Sequence, residues 1–216
     1  NNITVTGNAD IDGAVTSIAV LSVSGTSNIG ANITTSDTQT YTGAVTLSAA
    51  VTLTSSGDVI TFSNTVNSAD STNRNLTVAT GGNTVHINFD GIVGGSQGLG
   101  AIALTGVLDL NAAIADANSL TVSGASLLDA DITTSGTQTY SAAITLGTAA
   151  RTLEGSTIQT TTINGAQNLA ITGNLDLNGI IGGSSAIGVF SVSGTSNLGA
   201  NVTTTGTQTY AGAVTL

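Results

Sequence analysis

Apolar and polar residues alternate with a period of two along most of this chain. Between positions 38 and 47, for example, Tyr41, Val45 and Leu47 fall on one side of the alternation, while Thr40 and Thr46 fall on the other. This period is typical of β-strands that bury one face, and the abundant Thr, Val and Ile also favour strands. Helical spacing of Leu, Ala, Glu and Lys is nearly absent. The pattern therefore predicts an all-β protein.

Two phrases recur along the chain. The first is present in three copies, TTSDTQTYTGAVTL at 34–47, TTSGTQTYSAAITL at 133–146 and TTTGTQTYAGAVTL at 203–216, and the similarity extends upstream of each copy. The second is FDGIVGGSQGLGAIALTG at 89–106, which reappears as LNGIIGGSSAIGVFSVSG at 177–194. Such repetition is typical of stacked units, each of which buries its apolar face against a neighbour.

A shorter formula gives the size of the stacked unit. Alternating apolar and small polar residues followed by Gly begin at 102 and 120, and again at 169 and 190. A coil of about 20 residues holds three short strands joined by tight turns, which is the size of one β-solenoid turn. Gly-Gly and Asn-Gly pairs suit those turns. We predict one continuous parallel β-solenoid over 1–216, with three short strands in each coil and with coils of varying length.

The alternatives to a solenoid are a β-sandwich and a closed barrel. Neither requires repeated phrases, and both usually carry Pro in their turns, whereas this chain has no Pro. In a solenoid, stacked Val, Ile and Leu form the core. The alternation places the following residues there: Val23, Val45, Leu104, Val122, Ile144, Leu177, Val192 and Val214.

Composition narrows the classes of function. Only 6% of residues are charged and the net charge is −10, with Arg74 and Arg151 as the only cations. Nucleic acids and anionic membranes are therefore unsuitable partners. The absence of Cys excludes disulfides, thiolate metal sites and thiol catalysis. No apolar stretch reaches the length of a membrane-spanning helix, so we expect no membrane insertion.

The two longest copies, LSVSGTSNIGANITTSDTQTYTGAVTL and FSVSGTSNLGANVTTTGTQTYAGAVTL, resemble the β-strand repeats of large bacterial exoproteins. These are the filamentous-haemagglutinin-like adhesins and related autotransporter or surface-fibre proteins. The resemblance implies a right-handed parallel β-helix that is exported to the cell surface. It also implies a role in adhesion, biofilm formation or surface coating.

Few side chains could carry catalysis. His86 lies in VHINF, where Val85 and Ile87 should point inward and His86 outward, and no second ligand or orienting carboxylate is evident. Arg151 is close to Glu154, which suggests a weak local ion pair. We predict no catalytic, cofactor-binding or metal site, and therefore no enzyme and no cofactor.

A polysaccharide-degrading β-helix enzyme is the rival class. Its structural sign would be a concave face that gathers Asp10, Asp12 and Arg74. Paired carboxylates across a cleft, one of them in an apolar pocket, would be needed for glycoside hydrolysis.

Two acidic pairs are the nearest approach to a metal site. Asp10 with Asp12, and Asp129 with Asp131, place carboxylates at i and i+2, which share one strand face and could bind Ca²⁺. The calcium-binding nonapeptide GGxGxDxUx is missing, because GGSQGLGAI and GGSSAIGVF lack its Asp. Asp131 is Asn32 in the first copy, as expected of a tolerated surface position. We therefore interpret these residues as solvated turn acids.

Two further features of the repeated phrase bear on function. Threonines flank Gln39 and its equivalents, and stacked T-x-T rows would form the flat array of an ice-binding solenoid, but the copies should lie several coils apart. Ordinary strand propensity explains these threonines, and ice binding or glycan binding is kept as an alternative. Tyr41, Tyr140 and Tyr210 are predicted to point inward, either at ladder positions or as corner plugs whose hydroxyls reach a turn backbone.

The ends bear on assembly. The segment begins with NNITVTG and ends with YAGAVTL, strand phrases without a charged or Pro-bearing cap. We expect a segment of a longer protein, or copies that stack end to end or side by side in a fibre. The predicted function is a structural or adhesive extracellular filament at the cell surface, with surface glycans as further candidate partners.

Overall fold

The chain folds as a parallel β-solenoid in the computed structural model, which describes all 216 residues. The fold contains no helix and consists of parallel stacked coils with about 18 residues per turn. The predicted fold class is therefore confirmed, with turns slightly shorter than expected. Parallel pairing between successive coils rules out the sandwich and the barrel.

The strands are short, and most contain three residues. The first nine are β1 (Ile3–Val5), β2 (Ala9–Ile11), β3 (Val15–Ile18), β4 (Leu21–Val23), β5 (Ser27–Ile29), β6 (Ile33–Thr35), β7 (Gln39–Tyr41), β8 (Val45–Leu47) and β9 (Val51–Ser55). The next nine are β10 (Ile60–Phe62), β11 (Val66–Ser68), β12 (Arg74–Ala79), β13 (His86–Phe89), β14 (Leu99–Thr105), β15 (Val107–Leu110), β16 (Ile114–Val122), β17 (Ser126–Leu128) and β18 (Ile132–Thr134). The last nine are β19 (Gln138–Tyr140), β20 (Ile144–Leu146), β21 (Arg151–Thr160), β22 (Ile163–Asn164), β23 (Leu169–Leu177), β24 (Phe190–Val192), β25 (Ser196–Leu198), β26 (Gln208–Tyr210) and β27 (Val214–Thr215).

These strands form three sides of the solenoid. The first side is the ladder β1-β4-β7-β10-β13-β15-β17-β20-β22, which single-residue bridges at Ile181 and Val202 extend. The second side starts with β2-β5-β8-β11, and a bridge at Val93 connects it to β16. The third side starts with β3-β6-β9-β12-β14-β16. Strands β16, β21 and β23 are long because each turns the corner from the second side to the third, with a register shift in the middle.

Coil length varies, as predicted. Asp10 and Asn28 are cross-coil neighbours 18 residues apart, whereas Thr61 and Asn88 are 27 residues apart. The additional residues form loops at the corners, which leaves the strand stack intact. This variation explains why the repeated phrases are not spaced by a multiple of one coil length.

Forty-two buried hydrophobic residues form a single core along the axis. Tyr41, Phe62 and Phe89 stack from coil to coil, with ring centroids 5.4 and 4.9 Å apart. Seven of the eight predicted core residues are buried, at 2% exposure or less. The prediction for Val214 is wrong: it is 44% exposed, because its strand pairs only with the preceding coil.

A column of glycines allows the coils to approach closely at one corner. A Cβ on Gly43 would overlap the backbone of Gly25, and a Cβ on Gly25 would overlap that of Gly7. A Cβ on Gly7 would face open space. Glycine Cβ positions in this column therefore point toward the preceding coil.

Candidate functional site

The repeated phrase builds a buried polar corner. In the first copy the Tyr41 hydroxyl donates to Gln39 Oε1 at 2.9 Å. Gln39 Nε2 donates to the Thr54 carbonyl in the next coil at 2.8 Å and to Thr35 Oγ1 at 3.3 Å. Thr35, Gln39 and Tyr41 are all buried, so every polar side-chain group in this corner needs a partner. We call this arrangement the Thr–Gln–Tyr corner.

The second copy repeats the corner. Tyr140 donates to Gln138 Oε1 at 2.9 Å, and Gln138 Nε2 donates to the Glu154 carbonyl at 2.7 Å and to Thr134 Oγ1 at 3.4 Å. The spacing Thr-x3-Gln-x-Tyr is therefore a local structural code: one residue at the end of a strand and two on the next strand close a corner.

The third copy has the same internal hydrogen bonds, but no following coil buries it. Tyr210 donates to Gln208 Oε1 at 3.0 Å, and Gln208 Nε2 donates to Thr204 Oγ1 at 3.3 Å. Gln208 is exposed, whereas its counterparts are fully buried. The corner therefore forms from its own sequence, and the next coil supplies the burial.

The three corners lie on three different sides of the solenoid. Tyr41 belongs to β7 on the first side, Tyr140 to β19 on the third and Tyr210 to β26 on the second. Each copy thus faces a different direction, so the phrase presents no common outer surface.

Tyr41 and Tyr140 point inward as predicted, and Tyr210 is partly buried. All three occupy ladder positions, and each hydroxyl bonds to a Gln side chain instead of a turn backbone. Burial raises the pKa of Tyr41 and of Tyr140 far above the usual range, since a phenolate would lose its hydration inside the core.

Asparagine and aspartate side chains at the corners form a second repeated device. The Oδ1 atom of each accepts a backbone N–H from the following coil, and we call these residues corner brackets. Examples with bonds of 2.8 to 3.0 Å are Asn8 to Thr26, Asn32 to Thr52, Asn67 to Ser96, Asn75 to Ala101, Asp131 to Thr152, Asn164 to Ser184, Asn168 to Val189 and Asn174 to Thr195. They satisfy N–H groups at corners, where the strand ladders are interrupted.

Of the two acidic pairs, only Asp129 and Asp131 are corner brackets, and neither pair shares a strand face. Asp129 and Asp131 lie in the corner between β17 and β18, and Asp129 also accepts a bond from Thr148 N–H at 3.3 Å. Asp10 is on β2 and accepts from Asn28 Nδ2 at 2.7 Å, while Asp12 follows the strand end. Asn can replace Asp131 in the first copy because both residues offer an Oδ1 acceptor.

His86 points outward as predicted, and its side chain is 51% exposed. It has a carboxylate partner that the sequence did not reveal, because Asp109 Oδ2 lies 2.5 Å from His86 Nδ1. The two residues are 23 positions apart and meet only through the pairing of β13 with β15. The structure contains no group of three or more His, Cys, Asp or Glu residues that could hold a metal ion.

The suggested pair of Arg151 with Glu154 is wrong. Arg151 Nε donates to the Leu128 carbonyl at 2.9 Å, and Nη2 lies 3.7 Å from Asp129 Oδ1 in the previous coil. On β21 the side chains of residues 151 and 154 leave opposite faces, which separates the two charges.

The face that would mark a polysaccharide-degrading enzyme does not form. Arg74 pairs with Asp70 at 3.1 Å. Asp10 and Asp12 lie in the first coil and Arg74 in the fourth, so the two coils that contain β5 and β8 separate them. A surface pocket near the first coils is lined mainly by small and polar residues, among them Asn1, Ser17, Thr34 and Ser56.

Comparison with known proteins gives no relative: no family model, curated protein or solved structure matches this chain. The structure has no helix with the length and apolarity that a membrane crossing requires.

Proposed function

We propose that this chain is a structural and adhesive segment of an extracellular fibre, part of a secreted bacterial repeat protein at the cell surface. The proposal rests on the direction of the side chains in the repeated phrase, which point into the core and toward the next coil. Thr35, Gln39 and Tyr41 bond within the core and to the next coil, and corner brackets such as Asn32 join coils in the same way. The most strongly repeated residues therefore stabilise the solenoid. This favours a function that depends on the shape and surface of the rod over a catalytic function.

The geometry suits a stiff spacer. About 12 turns spaced at the ordinary strand separation give a rod on the order of 55 Å long. Its outward positions are mostly Thr, Ser and Asn, which offer hydroxyl and amide groups without strong charge. Such a surface suits hydrogen-bonded contacts with neighbouring rods or with surface glycans.

Self-association is the second part of the proposal. The last coil leaves Gln208 and Val214 exposed, although the next coil buries the equivalent residues in the two earlier copies of the phrase. In the first coil Gly7 faces open space, whereas Gly25 and Gly43 contact a preceding coil. Both edges are therefore suited to a further coil. In a longer chain that coil is covalently continuous, and between separate chains a second copy supplies it.

Sedimentation velocity over a range of concentrations tests this proposal. We expect elongated particles that lengthen as concentration rises. Gly7→Ala should leave the single rod folded and weaken the association, because its Cβ would enter the space of the added coil. A single species of globular frictional ratio at every concentration would overturn the proposal.

Ice binding is a second candidate, favoured by one observation on the third side. Threonine and alanine occupy one outward column in five consecutive coils: Thr52, Thr77, Ala103, Thr121 and Thr139. The repeated TQT copies lie on separate sides, and only the second copy contributes to this column, through Thr139. Freezing-point hysteresis in the wild-type chain that is lost in Thr121→Lys and kept in Thr145→Lys, on the first side, would support ice binding. Absence of hysteresis would exclude it.

A further inference from the structure

The chain contains two Asn-Gly pairs, Asn164-Gly165 and Asn178-Gly179. The proposed rod function gives neither pair a role of its own. In general, Asn followed by Gly is the sequence most prone to spontaneous deamidation, because Gly leaves its backbone nitrogen free to approach the Asn side chain. The nitrogen attacks the side-chain carbonyl carbon Cγ, a new N–Cγ bond forms, and ammonia leaves with the proton of that N–H. Water then opens the cyclic imide to aspartate or isoaspartate. The reaction requires no reagent except water.

The structure treats these two pairs differently. At the first pair, Asn164 Oδ1 accepts the Ser184 N–H at 2.9 Å, and the Gly165 N–H donates to the Ser185 carbonyl at 3.3 Å. Both reacting groups are thus held by the next coil. Attack at Asn164 requires a local opening that breaks both hydrogen bonds.

At the second pair neither reacting group is hydrogen-bonded to another coil, although Gly179 packs against the backbone of Thr161. The Asn178 side chain is exposed and makes no hydrogen bond, and the Gly179 N–H has no backbone acceptor. The Asn178 N–H remains bonded to the Thr160 carbonyl at 2.8 Å, so the residue stays at a defined corner of the rod. We propose that Asn178 is the site of selective spontaneous deamidation in the folded protein, and that the corner bracket at Asn164 protects the other pair.

The product would alter a weak point of the stack. Asn178 lies at the corner between β23 and Ile181, where the first side continues through single-residue bridges. Conversion adds one negative charge there, and the isoaspartate product also inserts a methylene group into the backbone. Modified rods are therefore expected to be more acidic and locally less well paired at this corner.

Peptide mapping by mass spectrometry after incubation at mildly alkaline pH tests the proposal, with the chain kept folded in one arm and fully denatured in the other. In the folded arm we expect Asn178 to convert about tenfold faster than Asn164 or more, the factor expected when two hydrogen bonds must first break. In the denatured arm the two rates should become similar.

The variant Asn178→Gln serves as a matched control, since it should abolish the new acidic species while the Asn164 peptide stays unchanged. Equal conversion of both pairs in the folded protein would overturn the proposal. Faster conversion at Asn164, or no conversion at Asn178 over a period in which the denatured chain reacts, would overturn it as well.

Discussion

The Tyr140 hydroxyl donates a 2.9 Å hydrogen bond to Oε1 of Gln138, and both side chains are inside the core. Gln138 in turn donates to the Glu154 carbonyl of the next coil at 2.7 Å. One side chain thus satisfies a buried hydroxyl and a backbone carbonyl, and it connects two coils. The stability of the rod should depend on this residue more than its polar character suggests.

We predict that Gln138→Leu destabilises the fold, because it leaves the Tyr140 hydroxyl without its acceptor and the Glu154 carbonyl with only the 3.4 Å hydrogen bond from Thr134 Oγ1. Each buried group left unsatisfied costs about 1–3 kcal/mol. Urea unfolding followed by circular dichroism measures the loss. Gln208→Leu is the matched control, since the same corner is exposed there and the change should stay within about 0.5 kcal/mol. Equal losses in the two variants would contradict the role of burial.

The glycine column supplies a second prediction. Gly43→Ala should cost about 1–3 kcal/mol, the usual cost of overpacking, because its Cβ would overlap the Gly25 backbone. Gly7→Ala lies in the same column but faces open space, so its effect on the unfolding free energy should be small. Thermal unfolding of both variants checks this. A Gly43→Ala protein as stable as Gly7→Ala would show that the coils do not pack as described.

Corner brackets allow a test by chemical replacement. Asn32→Asp should be tolerated, because Asp131 performs the same role in the second copy by accepting the Thr152 N–H at 2.8 Å. Asn32→Ala should lose the bond to Thr52 and cost about 1 kcal/mol. Amide hydrogen exchange should accelerate at Thr52 in the Ala variant alone. Unchanged exchange there would mean that the bracket does not hold the next coil.

Alkaline pH should weaken the fold through its buried tyrosines. The pKa of Tyr41 and Tyr140 is raised by burial, so both remain protonated in the folded state while the unfolded chain ionises near pH 10. Their contribution to stability is therefore complete below about pH 10 and is lost as pH rises further. Urea midpoints measured from neutral pH upward should fall above that value. The fall should be shallower in the double variant Tyr41→Phe with Tyr140→Phe, and an identical fall would exclude the tyrosines as its cause.

The fold could be predicted from the sequence because the alternation and the repeated phrases both indicate stacked strands. Alternation at Val23, Val45 and Val122 gave the buried face, and the repeated phrases gave stacking. Val214 shows the limit of this reasoning, because alternation indicates which way a side chain points and not whether another coil covers it.

The side-chain network could be predicted only in part. The inward direction of Tyr41 could be predicted, but its partner Gln39 is polar and gives no sequence signal of burial, so the hydrogen bond between them could not. Asp109 and His86 meet in adjacent coils although they are 23 positions apart in the sequence, which is more than the usual coil length of about 18 residues. Because loops at the corners change the coil length, sequence spacing alone does not identify such cross-coil neighbours.

Small-angle X-ray scattering of the purified chain over a concentration series tests the central claim most directly. A structural rod that associates through its coil edges should have a constant cross-section, a length on the order of 55 Å at the lowest concentration, and a greater length as concentration rises. A compact particle with nearly equal dimensions, unchanged at every concentration, would contradict both the rod and its proposed assembly.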